Sequence, residues 1–167
     1  MVFDPRYQEA TEPAIVDSIM AITERDMKDA LDHFYAADQL PGFAIMTDGE
    51  PSIFKYPLLV LGVQRLVSKE TTQIDEGNLL DQVVTVGVGL VVLSSASLKD
   101  VRALARKYIR AFKSVIRSAS VSDLFPATAR DLNHTIDIDH RYLKHATKGT
   151  DFVQAVEMEL KITFGES

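Results

Sequence analysis

Residues 83–93 read VVTVGVGLVVL, and the alternation within them decides the fold. Along a strand, successive side chains point to opposite faces. Val84, Val86, Val88, Leu90 and Val92 therefore share one face. Val83, Thr85, Gly87, Gly89, Val91 and Leu93 share the other. β-Branched residues suit a pleated backbone, so the stretch predicts a central strand. Glycines weaken a strand and usually mark a close backbone approach or a bulge. The expectation is that a helix or an aromatic lies over Gly87 and Gly89, with Tyr108 and Phe112 supplying the contact. The spacing Gly87-x-Gly89 does not make a phosphate loop, because no third glycine, lysine or helix start follows where one is needed.

The next segment, SLKDVRALARKYIRAFKSVIRSA at residues 97–119, predicts a strongly amphipathic helix after a turn at Ser94-Ser95-Ala96-Ser97. Ser97 is a good N-cap, and Asp100 sits where a capping-box acid belongs. Leu98, Val101, Leu104, Tyr108, Phe112, Val115 and Ala119 follow helical spacing and make a buried stripe. Arg102, Arg106, Arg110, Lys113 and Arg117 line the opposite side, a stripe about 22 Å long at the helical rise. Cations toward the C-terminal end also suit the helix dipole. Such a stripe is either a solvated face or a surface that meets nucleic acid or an acidic partner. Within the helix only Asp100 offers a nearby acid, so protein carboxylates from elsewhere are favoured as the counter-charge, including those of a neighbouring subunit.

Upstream, Thr11, Glu12 and Pro13 open a helix. Ile15, Ile19, Ile22, Met27, Leu31 and Phe34 give its apolar stripe. The phase slips near Thr23, which with Asp26 resembles a second cap, so this region is two helices or one bent helix. Gln39-Leu40-Pro41-Gly42 ends it. Residues 43–46 are short and apolar. Asp48-Gly49 signals a hairpin turn, with residues 52–63 as the returning strand, demoted by Pro57 to an edge or a bulge. Leu58, Leu59, Val60 and Leu61 are apolar on both faces, which suits burial between layers or a subunit contact. Residues 64–80 are polar without a clear period. Lys69, Glu70, Thr71, Thr72 and Gln73 would suit a projecting hairpin arm or a mobile loop.

Downstream, residues 121–133 read as a loop around Pro126. In residues 135–143, Ile136, Ile138, His140 and Tyr142 alternate with Asp137, Asp139 and Arg141. Lys148-Gly149-Thr150 turns the chain. In residues 152–164, Val156, Met158, Leu160, Ile162 and Phe164 face inward against Glu157, Glu159, Lys161 and Thr163. These two segments predict an antiparallel hairpin with one solvated face. The whole reads as one α+β domain over residues 1–167: a mixed or antiparallel sheet, an N-terminal helix and one long amphipathic helix packed on it.

Composition narrows the function classes. The net charge is −6 and the pI near 5.2, which argues against a dedicated DNA-binding module. The chain has no cysteine, which excludes disulfides, thiolate metal sites and cysteine nucleophiles. No apolar run approaches the roughly 18 residues that suggest a membrane span. The opening MVFDPRYQEA lacks a secretory pattern, so the expectation is a soluble protein made in a cytoplasm. His134, Asp137, Asp139, His140 and His145 are residue types that bind zinc. On a strand, however, Asp137 and Asp139 share a face while His140 takes the other, so a third ligand would have to come from elsewhere. The same carboxylates could serve as a general acid and base pair, but nothing in the sequence marks them as buried or partnered. No Gly-x-Ser-x-Gly elbow is present, and aromatics do not interleave with the cations as in a single-strand stacking platform.

The order of elements resembles the tail terminator family of long-tailed bacteriophages over nearly the whole chain. DQVVTVGVGLVVLSS, the helix segment above and FVQAVEMELKITF carry the resemblance. It implies a virion subunit, assembled in the host cytoplasm and located at the tail–neck junction. Such a subunit forms a homo-hexameric ring that stops the tail tube and joins it to the head-completion or neck protein, and DNA passes transiently through the ring. The family has no invariant catalytic signature, so the resemblance implies no catalytic residue, metal or cofactor. Residues 1–12 fall outside it. Two other classes compete: a small-molecule-binding regulatory domain of α+β type, and a metal-dependent enzyme built on Asp137, Asp139 and His140. Size in solution separates them, since only the ring predicts a hexamer.

Overall fold

A computed structural model of the chain describes residues 12–73, 77–94, 97–120 and 132–166. The elements run α1 (Glu12–Tyr35), a short 3-10 turn (Ala36–Asp38), β1 (Ile45–Thr47), β2 (Leu58–Gln73), β3 (Gly77–Ser94), α2 (Leu98–Ser118), β4 (Leu132–Tyr142), β5 (Ala146–Lys148) and β6 (Asp151–Glu166). One mixed sheet holds all six strands in the order β1-β2-β3-β6-β4, with β5 paired to β6 off that path. The fold is α+β. Both helices lie on one face of the sheet, α1 against β2 and α2 against β3 and β6, and they pack on each other.

The core sits between the sheet and the helices. Val84, Val86, Val88, Leu90 and Val92 are buried and contribute from β3; Val156, Met158, Leu160 and Ile162 contribute from β6. From α2 come Val101, Ala105, Tyr108, Ile109, Ala111, Phe112, Val115 and Ile116. The helical stripe is thus wider than the sequence reading: Leu98 and Leu104 are only half-buried, and two alanines and two isoleucines join the core. The small Ala105 and Ala111 let the helix sit close while larger neighbours fill the gaps. Tyr108 is fully buried yet keeps its hydroxyl bonded, donating to the Pro41 carbonyl at 2.5 Å. Burial pushes its pKa up to about 12. Ser97 caps α2, accepting from the Asp100 N–H at 3.1 Å and donating to the Asp100 carboxylate at 2.8 Å.

α1 is one continuous helix. Thr23 does not cap a second one: it is buried, and its hydroxyl donates back to the Ile19 carbonyl at 2.7 Å, a bond that lets threonine sit inside a helix.

The glycine expectation is wrong in its side. The helices cover the valine face, so Tyr108 and Phe112 belong to the core that includes Val84, Val86 and Val88. Gly87 and Gly89 lie on the opposite face. Among the described residues, a Cβ built on Gly89 would meet only Val60 Cβ at 3.7 Å, and one on Gly62 would meet nothing within 4 Å.

Asp48-Gly49 closes no hairpin. β1 runs parallel to β2, Ile45 opposite Leu58, and parallel neighbours require a crossover rather than a tight turn. The returning strand starts at Leu58, after a cis Tyr56-Pro57 bond. The Pro57 carbonyl accepts from the Ala44 N–H at 2.8 Å. Leu58, Leu59 and Leu61 are buried, as apolar residues on both faces implied, and Val60 is half-buried.

Residues 64–80 belong largely to a hairpin. β2 pairs antiparallel with β3 from Leu58↔Val91 to Gln73↔Gly77, with a register shift between Val63 and Arg65. β6 accompanies β3 only from Gln82 to Ser94. Lys69, Glu70, Thr71, Thr72 and Gln73 therefore pair with residues 77–81 in a ribbon that, among the described residues, is two-stranded. Their side chains, residues 74–76, Ser95 and Ala96 of the turn before α2, residues 1–11, and residues 121–131 of the loop expected at 121–133 lie outside the described set, whereas Leu132 and Asn133 belong to β4.

β4 and β6 pair antiparallel, as their alternation predicted. The short β5 runs in the same direction as β4 and pairs with the next residues of β6, and Gly149, at φ 62°, turns the chain into β6. Such a φ suits glycine and strains other residues.

Candidate functional site

Two charged surfaces stand out, one on each side of the sheet. The first is the outward side of α2. Arg102, Arg106, Arg110 and Arg117 are exposed and Lys113 is half-buried, because the helix turns its apolar stripe to the sheet and leaves these positions about a third to a half turn away. Four of the five border a groove of about 490 Å³: Arg106, Arg110, Lys113 and Arg117, facing His140 and Tyr142 of β4. Phe34 of α1 and Ile109 supply apolar wall. Arg102 lies beyond it.

The groove is held by contacts that the cation spacing alone did not reveal. The Arg110 guanidinium carbon sits 4.2 Å from the Phe34 ring centroid, within cation–π range. Lys113 Nζ lies 2.7 Å from His140 Nδ1, and the His140 ring meets Tyr142 edge-on. Burial, then the Arg117 charge, push Lys113 below the usual lysine value, and Asp139 opposes them. His140 is likewise pushed down, by burial and then by Lys113, again against Asp139. A neutral imidazole can then accept from the lysine ammonium. Lys107, left out of the stripe, is partnered: it reaches Asp38 at 2.8 Å and lies over the Tyr35 ring. Among the described residues, no carboxylate is in ion-pair range of Arg102, Arg106, Arg110 or Arg117.

A signal for His140 and Tyr142 was present in the alternation of β4, which puts them on the same face as Ile136 and Ile138. No signal pointed to Phe34, because only the folded packing of α1 on α2 brings it to Arg110.

The second surface is the open sheet face. Asp137 is opposite Lys161, Asp139 opposite Glu159, and Arg141 opposite Glu157. The Arg141–Glu157 pair forms a salt bridge. Asp139 and Glu159, both exposed, face each other with like charge, which costs stability in a cross-strand pair. Glu159 in turn neighbours Gly87, and Glu157 neighbours Gly89. Gly87 pairs with Gly62 of β2. The result is a strip in which Gly62, Gly87 and Gly89 carry no side chain and Val60 is the fourth position, with Glu157 and Glu159 along one border.

The metal candidates are divided by the sheet. Asp137 and Asp139 are on the open face, His140 is on the helix face, and His145 follows β4. The side chain of His134 lies outside the described residues. Among the described residues, no three His, Asp or Glu side chains are grouped to hold a metal ion. No described helix is long and apolar enough to cross a membrane.

No protein-family model matches the chain, and no curated protein does. Among solved structures, the chain is similar to one described as "Virion of native gene transfer agent (GTA) particle", at 10% identity and a TM-score of 0.43, covering 92% of this chain and 96% of that one.

Proposed function

We propose that the chain is a structural virion subunit of the tail-terminator kind. In this reading it forms a homo-hexameric ring at the tail–neck junction. The ring stops the tail tube, joins it to the head-completion or neck protein, and lets DNA pass without holding it. The role is structural rather than enzymatic, and it calls for no cofactor.

The observation that carries this reading is the two-stranded ribbon at the end of β2 and β3. Lys69–Asp81 through Gln73–Gly77 pair with each other beyond Gln82, where the described pairing of β3 with β6 ends. An isolated two-stranded ribbon is marginal in water, and it gains most from a neighbour. A neighbouring subunit or the tail tube would supply one. The element order also supports the reading, since it follows the order that the resemblance implies from the first helix to the closing strand.

Electron microscopy of tails assembled with and without the chain tests this. With it, tubes should end in a six-fold ring and keep a defined length; without it, they should overgrow and fail to join heads. Deletion of residues 69–77 should leave the fold intact and abolish capping. Tails of normal length that join heads without the chain would overturn the proposal.

A further inference from the structure

We infer that the groove on α2 docks against the open sheet face of a second copy of this chain, so that copies associate head to tail through unlike surfaces. The inference deepens the ring reading and rests on it for closure into a ring.

Three features select a second copy as the occupant. The first is charge complementarity. Arg106, Arg110 and Arg117 lack an acidic partner among the described residues, while Asp139 and Glu159 face each other without an intervening cation. The chain is net acidic, so copies repel one another unless local charges of opposite sign are matched.

The second feature is the bare strip. Glycine inside a strand costs stability, and among the described residues nothing lies within 4 Å of a Cβ built on Gly62 and only Val60 approaches one built on Gly89. Such glycines suit the close approach of another backbone. A helix of a second copy could lie in the strip. Its arginine stems would cover Val60 and the glycines, and their guanidinium groups would reach Glu159 and Asp139, since long basic side chains pack their stems on apolar surface and extend their charge.

The third feature is placement. The basic surface belongs to the helix layer and the acidic one to the opposite face of the sheet. One chain cannot bring its own two surfaces together. A contact that uses the helix face of one copy and the open sheet face of the next joins unlike patches, and such contacts close into rings or run on as filaments.

The test is a charge swap, read by sedimentation equilibrium and native mass spectrometry at low and high salt. Wild type should associate more tightly at low salt, since exposed charge pairs are screened. R106E/R110E and D139K/E159K should each weaken self-association by about tenfold or more, with unchanged far-ultraviolet circular dichroism and thermal midpoint. An equimolar mixture of the two variants should recover association, because each retains the surface the other lacks. If the lysines unfold the acidic variant, D139N/E159Q carries the same test with a smaller loss. Variants that associate like wild type would overturn the inference, as would a mixture that does not recover or a wild type that stays monomeric at low salt. So would an R106E/R110E variant that self-associates normally but no longer retains duplex DNA, since the groove would then be a polyanion surface. Rings that survive both swaps would leave the ring reading standing and remove this contact. Swap-sensitive filaments that never cap a tube would do the reverse.

Discussion

The two faces of β3 come from one stretch, residues 83–93, read one residue out of step. On the inner face Val84, Val86, Val88, Leu90 and Val92 are fully buried under the helices. On the outer face Gly87 and Gly89 carry no side chain, and Val83, Thr85 and Val91 are half-covered. β6 repeats the contrast, with Leu160 buried beside an exposed Glu159. The inner face is explained by the chain's own packing. The outer face is not: strand glycines and opposed carboxylates cost stability, and the described packing around Gly62 and Gly89 does little to offset it. That difference separates residues that hold the fold from residues whose reason lies outside it.

Substitutions on the two faces should divide accordingly. The largest effect is expected for Phe112→Ala, which opens a cavity where α2 meets the sheet. Thermal or denaturant unfolding should show a loss of about 3–5 kcal/mol. A loss below about 1 kcal/mol would mean that the helix layer is far looser than its burial implies. Next comes a neighbouring pair on β6. Leu160→Ala should cost about 2–5 kcal/mol, whereas Glu159→Ala should stay within about 0.5 kcal/mol, as surface changes do. Equal losses at the two positions would erase the contrast. Removing the cap with Ser97→Ala should cost about 1 kcal/mol, a check on the local entry into α2 that is independent of either face. The smallest change should be of opposite sign. Gly62→Ala meets open space and Gly89→Ala only an ordinary contact, so each should leave the monomer as stable or more stable by about 0.5–1 kcal/mol. If these alanines gain stability but weaken self-association, the strip is reserved for a neighbour.

The residue pattern made part of this legible. Period-two alternation placed the core residues of β3, β4 and β6, and helical spacing separated the arginines of α2 from its buried stripe. Both are local signals. The pattern could not say which face of β3 the helices would choose: glycines invite a close neighbour on either side, and the choice was settled by the larger apolar area of the valines. Nor could it say that β1 runs parallel to β2, since Asp48-Gly49 is compatible with a tight turn until strand order is known. Residues 64–80 lack the alternation of a half-buried strand because the ribbon lies partly beyond the described pairing of β3 with β6. Sequence spacing showed the cations of the groove, but Phe34, more than sixty positions from Lys113 and Arg110, joins them only through the packing of α1 on α2.

Strand order has a consequence for synthesis. β6 follows all the other described strands in sequence, yet it lies between β3 and β4 and also carries β5. Until it leaves the ribosome, β4 has no described strand to pair with, and β3 exposes the edge that β6 will fill. Helices α1 and α2 can already cover part of β2 and β3 at that stage, but the sheet cannot close. An unpaired edge beside apolar side chains invites pairing with other chains. The interval before β6 emerges is therefore the vulnerable one, and a ribosome that stalls near Lys148 would release a product prone to aggregate.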